Sequence, residues 1–118
     1  MFDFEKLVVY QRSKVFHLEI TRWLVSNQTV DSVTRDQLRR SSLSIALNIA
    51  EGSGRFSQKD RRNFFVIARS SVFEVAAIFD ILKDASRIVQ PDFEKFYLEA
   101  DELSRILFAL IKKLEVAS

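Results

Sequence analysis

Phe65-Val66-Ile67-Ala68-Arg69-Ser70-Ser71-Val72-Phe73-Glu74-Val75-Ala76-Ala77-Ile78-Phe79-Asp80-Ile81-Leu82 is the stretch whose reading decides the fold. Its apolar positions 65, 68, 72, 75, 79 and 82 step by 3, 4, 3, 4, 3. That rhythm keeps one stripe of a helix facing a partner helix, and a strand has no use for it. Further on, Phe93, Phe96, Ala100, Leu103, Leu107, Leu110 and Leu114 repeat the same steps. Two such seams in one chain predict helices packed near 20° in a bundle.

Working outward, few residues interrupt the helical pattern. An earlier segment, Glu5 to Ser26, carries one stripe of Val8, Val15, Leu18 and Val25 and a second of Val9, Phe16, Ile20 and Trp23. The polar stretch 27–33 reads as a loop. Thr34-Arg35-Asp36-Gln37 matches a capping box and predicts a helix start at 34. Gly52-Ser53-Gly54 supplies a stop through left-handed backbone. Ser57-Gln58-Lys59-Asp60 reads as the next start, and Pro91 suits the first turn of the last helix. The expectation is an all-α, antiparallel, up-down-up-down four-helix bundle, with helices near 5–27, 34–53, 57–89 and 91–116, in one domain over 1–118.

Composition agrees. Two glycines and one proline in 118 residues cannot supply the turns of a sandwich or barrel, while 47% hydrophobic residues suffice for a core. The absence of cysteine removes disulfides, thiolate zinc sites and thiol nucleophiles, and suits a reducing cytoplasm. No signal-peptide pattern opens the chain and no apolar run spans a membrane, so a cytoplasmic location without membrane association is expected.

The second helix has more apolar surface than a bundle needs. Gln37, Ser41, Ser44, Asn48, Glu51 and Arg55 form a narrow polar stripe at 100° per residue. Leu38, Ile45 and Ile49 flank it on one side, and Leu43, Leu47 and Ala50 on the other. One flank fits the core; the other, with Leu43, Leu47 and Ala50, is expected to meet another subunit. The second apolar flank implies a homo-oligomer and leaves its number open.

Charge is uneven. Residues 34–69 hold eight cations (Arg35, Arg39, Arg40, Arg55, Lys59, Arg61, Arg62, Arg69) against three acids, a net +5, whereas residues 70–118 are net −3. Seven of the eight are arginine, whose planar fork matches phosphate. These eight are the candidate nucleic-acid-binding residues for RNA or DNA. Asp36–Arg40 and Glu51–Arg55 have the spacing of ordinary surface pairs. Phe56 has the position of a core plug as much as of a base-stacking platform, so recognition is expected to rest on backbone charge. Lys112 and Lys113, far along the chain, read as outside the cluster. The competing class is a protein–protein scaffold whose arginines meet an acidic partner.

Catalysis finds little. His17 is the only histidine, Ser41, Ser42 and Ser44 have no base partner, and neither a Glu-x-x-His pair nor a Walker loop is present. The expectation is no catalytic residue, no metal and no cofactor.

Gln37-Leu38-Arg39-Arg40-Ser41-Ser42-Leu43-Ser44-Ile45-Ala46-Leu47-Asn48-Ile49-Ala50-Glu51-Gly52-Ser53-Gly54-Arg55 resembles the signature of the bacterial four-helix-bundle proteins encoded in intervening sequences of 23S ribosomal RNA genes. Tyr10-Gln11 and Phe65-Val66-Ile67-Ala68-Arg69-Ser70-Ser71 extend the resemblance over nearly the whole chain. Ser41, Ser42 and Ala46 stand where relatives often carry alanines and a proline. The resemblance implies a compact antiparallel bundle assembled as a homopentamer. It also implies similarity in fold to the accessory protein of diversity-generating retroelements, whose basic surface works with nucleic acid and a reverse transcriptase, hence a possible nucleoprotein partner. It implies no established biochemical activity.

Overall fold

The computed structural model describes residues 1–117, with side chains to Glu115. A short 3-10 turn at Asp3–Lys6 leads into four helices: α1 Val8–Ser26, α2 Ser32–Ser53, α3 Gln58–Asp84 and α4 Gln90–Ala117. They alternate in direction and form a bundle measuring 45 × 27 × 22 Å. α3 lies between α2 and α4, α1 closes the bundle, and no strand occurs among the described residues.

Three boundaries differ from the sequence expectation, each for a local reason. α1 starts at Val8 and not near 5, because the 3-10 turn and an extended Leu7 precede it. α2 begins two residues early, because the cap is Asp31: its carboxylate accepts from Thr34 N at 2.8 Å and from the Thr34 hydroxyl at 3.0 Å. The Thr34 hydroxyl therefore donates instead of capping, and Gln37 turns away to α3. α3 ends at Asp84, five residues early. Ser86 adopts φ 58°, while Arg87 N donates to Leu82 O and Ser86 N to Lys83 O, the double closure usually built on glycine. Neither glycine of the α2–α3 turn has positive φ. Gly52 is needed for space instead, since a Cβ there would lie 2.9 Å from Phe64 Cβ and 3.0 Å from the Phe65 ring. The start of α3 is as expected, with Ser57 Oγ accepting from Asp60 N at 3.0 Å.

The core is the two sequence seams brought together. Phe79 and Phe96 stack with ring centres 4.8 Å apart, and Trp23 meets both edge-on. The Trp23 indole N–H donates to Asp92 at 3.2 Å, so the one polar atom of that ring is satisfied. Burying each large side chain contributes about 1.5–3 kcal/mol. Near its end the α4 seam drifts: Leu110 and Leu114 are half-buried and Ile111 takes the core position. A strict 3.5-residue repeat slips on a helix of 3.6 residues per turn, which rotates the buried face.

The polar stripe of α2 runs along the α2–α3 contact. Ser41 donates to Glu74 at 2.7 Å, Gln37 to the same carboxylate at 2.5 Å, and Ser44 meets Ser71 at 3.0 Å. Asn48 donates back to Ser44 O at 2.8 Å. Small side chains with mutual hydrogen bonds let the helices approach, and no buried side-chain polar atom among the described residues lacks a partner. Leu38, Ile45 and Ile49 are fully buried on one flank, while Leu43 and Leu47 are exposed and Ala50 half-buried on the other. Beside the Phe16, Trp23 and Phe96 rings, ion pairs also join α1 to α4: Arg12 bridges Glu99 and Glu102, and Lys95 meets Glu19. This double pairing raises the Arg12 guanidinium further above its ordinary range.

Candidate nucleic-acid interface

The eight candidate cations do not form one patch. Arg35, Arg39 and Arg40 lie in the first turns of α2, whereas Arg55, Lys59, Arg61 and Arg62 surround the α2–α3 turn at the opposite end. Arg55 stands fifteen positions beyond Arg40, just past the end of α2, a rise of about 22 Å along the helix axis.

At the first end little cationic surface is free. Arg35 reaches back to donate to Leu24 O at 2.6 Å and to Asn27 O at 2.8 Å. Those carbonyls close α1, so the guanidinium caps a helix C-terminus, where its charge also suits the dipole. Arg39 lies 3.8 Å from Asp36, which takes the acid that the i, i+4 spacing had paired with Arg40. Arg40 is exposed with neither an ion pair nor a hydrogen bond among the described residues.

The other end is richer than the sequence suggested. Arg55 lies over the Phe64 ring at 4.6 Å, not against Glu51, and Arg61 Nε donates to Arg55 O at 3.1 Å. Lys59 is exposed in the first turn of α3. Arg62 pairs with Glu115 of α4 at 2.6 Å, and Lys112 lies 3.4 Å from the same carboxylate. The Arg62 hydrogen bond, then that of Lys112, holds the Glu115 carboxyl below its usual range. Lys113 lines a depression together with Arg61. The antiparallel fold thus returns Lys112 and Lys113 to the cluster that sequence distance had placed them outside.

Aromatic surface accompanies these cations. Phe56, beside Arg55 at the tip of the turn, is fully exposed and is not a core plug among the described residues. Arg69 donates Nε to Ser104 O at 3.1 Å and lies between the half-exposed rings of Phe73 and Phe108, at 4.7 and 5.3 Å. Arg62, Arg69, Phe73, Phe108 and Lys112 line one groove on the α3–α4 face. No aromatic platform is legible along the chain because Phe73 and Phe108 sit on different helices; their i, i+4 offsets from Arg69 and Lys112 are the only local signal.

Elsewhere, His17 Nδ1 lies 2.7 Å from Ser42 Oγ across the α1–α2 contact, and burial lowers its pKa below the ordinary 6.5. No group of three or more His, Asp or Glu side chains among the described residues is placed to hold a metal ion. No helix among them is long and apolar enough to cross a membrane.

Comparison with known proteins supports the same architecture. A crystal structure from Bacteroides thetaiotaomicron VPI-5482, of a protein with unknown function from the S23 ribosomal protein family, is similar with a TM-score of 0.83 and 28% identity. The similarity covers 89% of this chain and 99% of that one. No curated protein matches. Residues 5–109, a span that holds α1 to α3, most of α4 and the Asn-Ile-Ala-Glu-Gly stretch, match the family described as 23S rRNA-intervening sequence protein, and the chain belongs to this family.

Proposed function

We propose that the chain is a non-catalytic, homo-oligomeric bundle that binds nucleic acid with the basic end formed by the α2–α3 turn and the last turns of α4. The observation that carries this reading is that Arg55, Lys59, Arg61, Arg62, Lys112 and Lys113 share one end of the bundle with the α2–α3 turn, whose Phe56 is fully exposed beside Arg55. Cations that track phosphates and a free ring for a base are what a single-stranded ligand needs. Oligomerisation repeats that end around an axis and converts weak contacts into avidity. The pentamer implied by the family resemblance is the expected assembly. Arg35 is left out of the binding set because its donors already cap α1.

The test is titration of structured RNA, single-stranded DNA and duplex DNA over a salt series. Lys112 and Lys113 cannot serve as a distant control, so Arg61→Ala with Arg62→Ala is compared with Lys83→Ala with Arg87→Ala at the opposite end. The first double is expected to flatten the salt dependence by about 0.7–0.9 per lost phosphate contact, and the second to leave it unchanged. Phe56→Ala is expected to weaken single-strand binding by about 1–3 kcal/mol. Equal losses in both doubles, or no wild-type binding at physiological salt, overturn the reading in favour of a protein scaffold.

A further inference from the structure

Among the helix faces that the bundle leaves uncovered, one on α1 and one on α2 have the spacing of a packing seam. On α1, Val8, Gln11, Val15, Leu18, Arg22 and Val25 step by 3, 4, 3, 4, 3, and all six are exposed. On α2, Asp36, Arg40, Leu43, Leu47, Ala50 and Gly54 step by 4, 3, 4, 3, 4 on the side opposite the buried Leu38, Ile45 and Ile49. Exposure at their centres is nearly equal: 49% and 47% for Val15 and Leu18, 42% and 51% for Leu43 and Leu47.

A closed ring is built by one face of each subunit meeting a different face of the next. We propose that the α1 outer seam of one copy packs antiparallel on the α2 outer seam of its neighbour. This rests on the homo-oligomeric reading above and names its interface. The register follows from the fold. The contact of His17 with Ser42 shows which levels of α1 and α2 lie side by side in the bundle. Antiparallel helices advance equally in opposite directions, so position 22 lies level with 37, 18 with 41, 15 with 44 and 8 with 51. Copies arranged around an axis along the bundle keep these levels. Arg22 of one copy then meets Asp36 of the next, Val15 and Leu18 meet Leu43 and Leu47, and Val8 reaches Ala50.

Charge selects this pairing over the symmetric ones. Turning α2 on a second α2 about the centre of its seam places Asp36 opposite Gly54 and Arg40 opposite Ala50. Turning α1 on α1 places Arg22 opposite Gln11. Neither gives a charged side chain an opposite partner, whereas the mixed pairing joins the one cation of the α1 seam to the one acid of the α2 seam. Seams of 3.5-residue period also favour a shallow crossing near 20°, so contact can run their full length.

The chain has no cysteine, which makes the test direct. Leu18→Cys and Leu43→Cys are made separately at exposed positions, mixed, allowed to exchange subunits, and oxidised. The expected result is a covalent dimer only in the mixture. Arg22→Asp and Asp36→Arg are each expected to weaken association at least tenfold by sedimentation, and combining them is expected to restore it. Self-crosslinking of Leu43→Cys alone overturns the proposal in favour of a symmetric interface. An oligomer that gives no mixed crosslink overturns the seam pairing and leaves the oligomeric reading standing. A wild-type sedimentation mass of 13.7 kDa at all concentrations overturns both.

Discussion

Phe65, Ala68, Val72, Val75, Phe79 and Leu82 of α3 are all buried, whereas Val8, Val15, Leu18 and Val25 of α1, spaced as regularly, all face solvent. The two stripes differ in their neighbours and hardly at all in pattern. α3 has helices on both sides, and its seam faces the stacked rings of the core. α1 already buries Val9, Phe16, Ile20, Trp23 and Leu24, with Phe16 and Trp23 against Phe96 of α4, and Arg12 and Lys95 add ion pairs to that contact. Hydrophobic period therefore specifies a helix face, and the fold decides which faces have company. A helix with two seams has one to offer beyond its own bundle.

The sharpest way to break this contrast is to truncate one residue on each seam. Phe79→Ala removes a ring stacked on Phe96 and touched edge-on by Trp23, and is expected to cost about 3–5 kcal/mol in urea unfolding. Leu18→Ala, measured at concentrations where protomers are dissociated, is expected to stay within about 0.5 kcal/mol of wild type. Comparable losses for the two would mean that the outer stripe of α1 is covered within the folded chain.

A second comparison sets two arginines of α2 against each other. Arg35 donates to the carbonyls that end α1, so Arg35→Ala leaves those acceptors without charged donors and is expected to cost about 1.5–3 kcal/mol. Arg40, exposed and making no bond among the described residues, is expected to cost less than about 0.5 kcal/mol when replaced by alanine. Thermal unfolding of both variants decides it. Equal losses would mean that the cap adds nothing to stability.

The glycines of the α2–α3 turn give a third. Gly52→Ala drives a Cβ into Phe64 Cβ, which belongs to a helix and cannot swing away, and is expected to cost about 1–3 kcal/mol. At Gly54 the nearest atoms to such a Cβ are carbonyl oxygens at 3.5 and 4.0 Å, and φ is −87°, so alanine fits. Gly54→Ala is expected to be neutral or to stabilise by up to about 1 kcal/mol through the unfolded chain. A larger loss at Gly54 would show that the turn itself needs glycine.

What was legible in the sequence was local. The seam of α3, that of α4 as far as Leu107, and the Ser57 cap need only neighbours within one turn, and the structure has them where expected. Asp31 and Thr34 are both capping residues three apart, and spacing alone does not say which one accepts. The end of α3 carries no glycine to announce it, because Ser86 takes the left-handed position. The basic end was read only in part, since Lys112 and Lys113 reach it through the antiparallel return of α4. Phe56, Phe73 and Phe108 become a surface only when nothing covers them, a property that no stretch of sequence states.

The smallest expected effect concerns His17, where the two sides of α1 meet. Its ring is half-buried between the inner stripe and the outer face, with Nδ1 against the buried Ser42 hydroxyl, which also donates to Arg39 O at 3.2 Å. Burial disfavours the imidazolium and places the folded-state pKa below 6.5. The unfolded chain therefore binds the proton more readily than the folded one. Stability contributed by neutral His17 is complete above pH 6.5 and declines as pH falls from there toward the lower folded-state value. Wild type is expected to lose stability between pH 7.5 and 5.5 with a slope of less than one proton. His17→Gln keeps a polar group able to bond Ser42 and carries no titratable proton, so its slope over that interval is expected to be shallower. Urea titrations at a series of pH values measure both. Identical slopes would assign the pH dependence to other groups, and a steeper slope in the variant would mean that the folded state stabilises the charged ring.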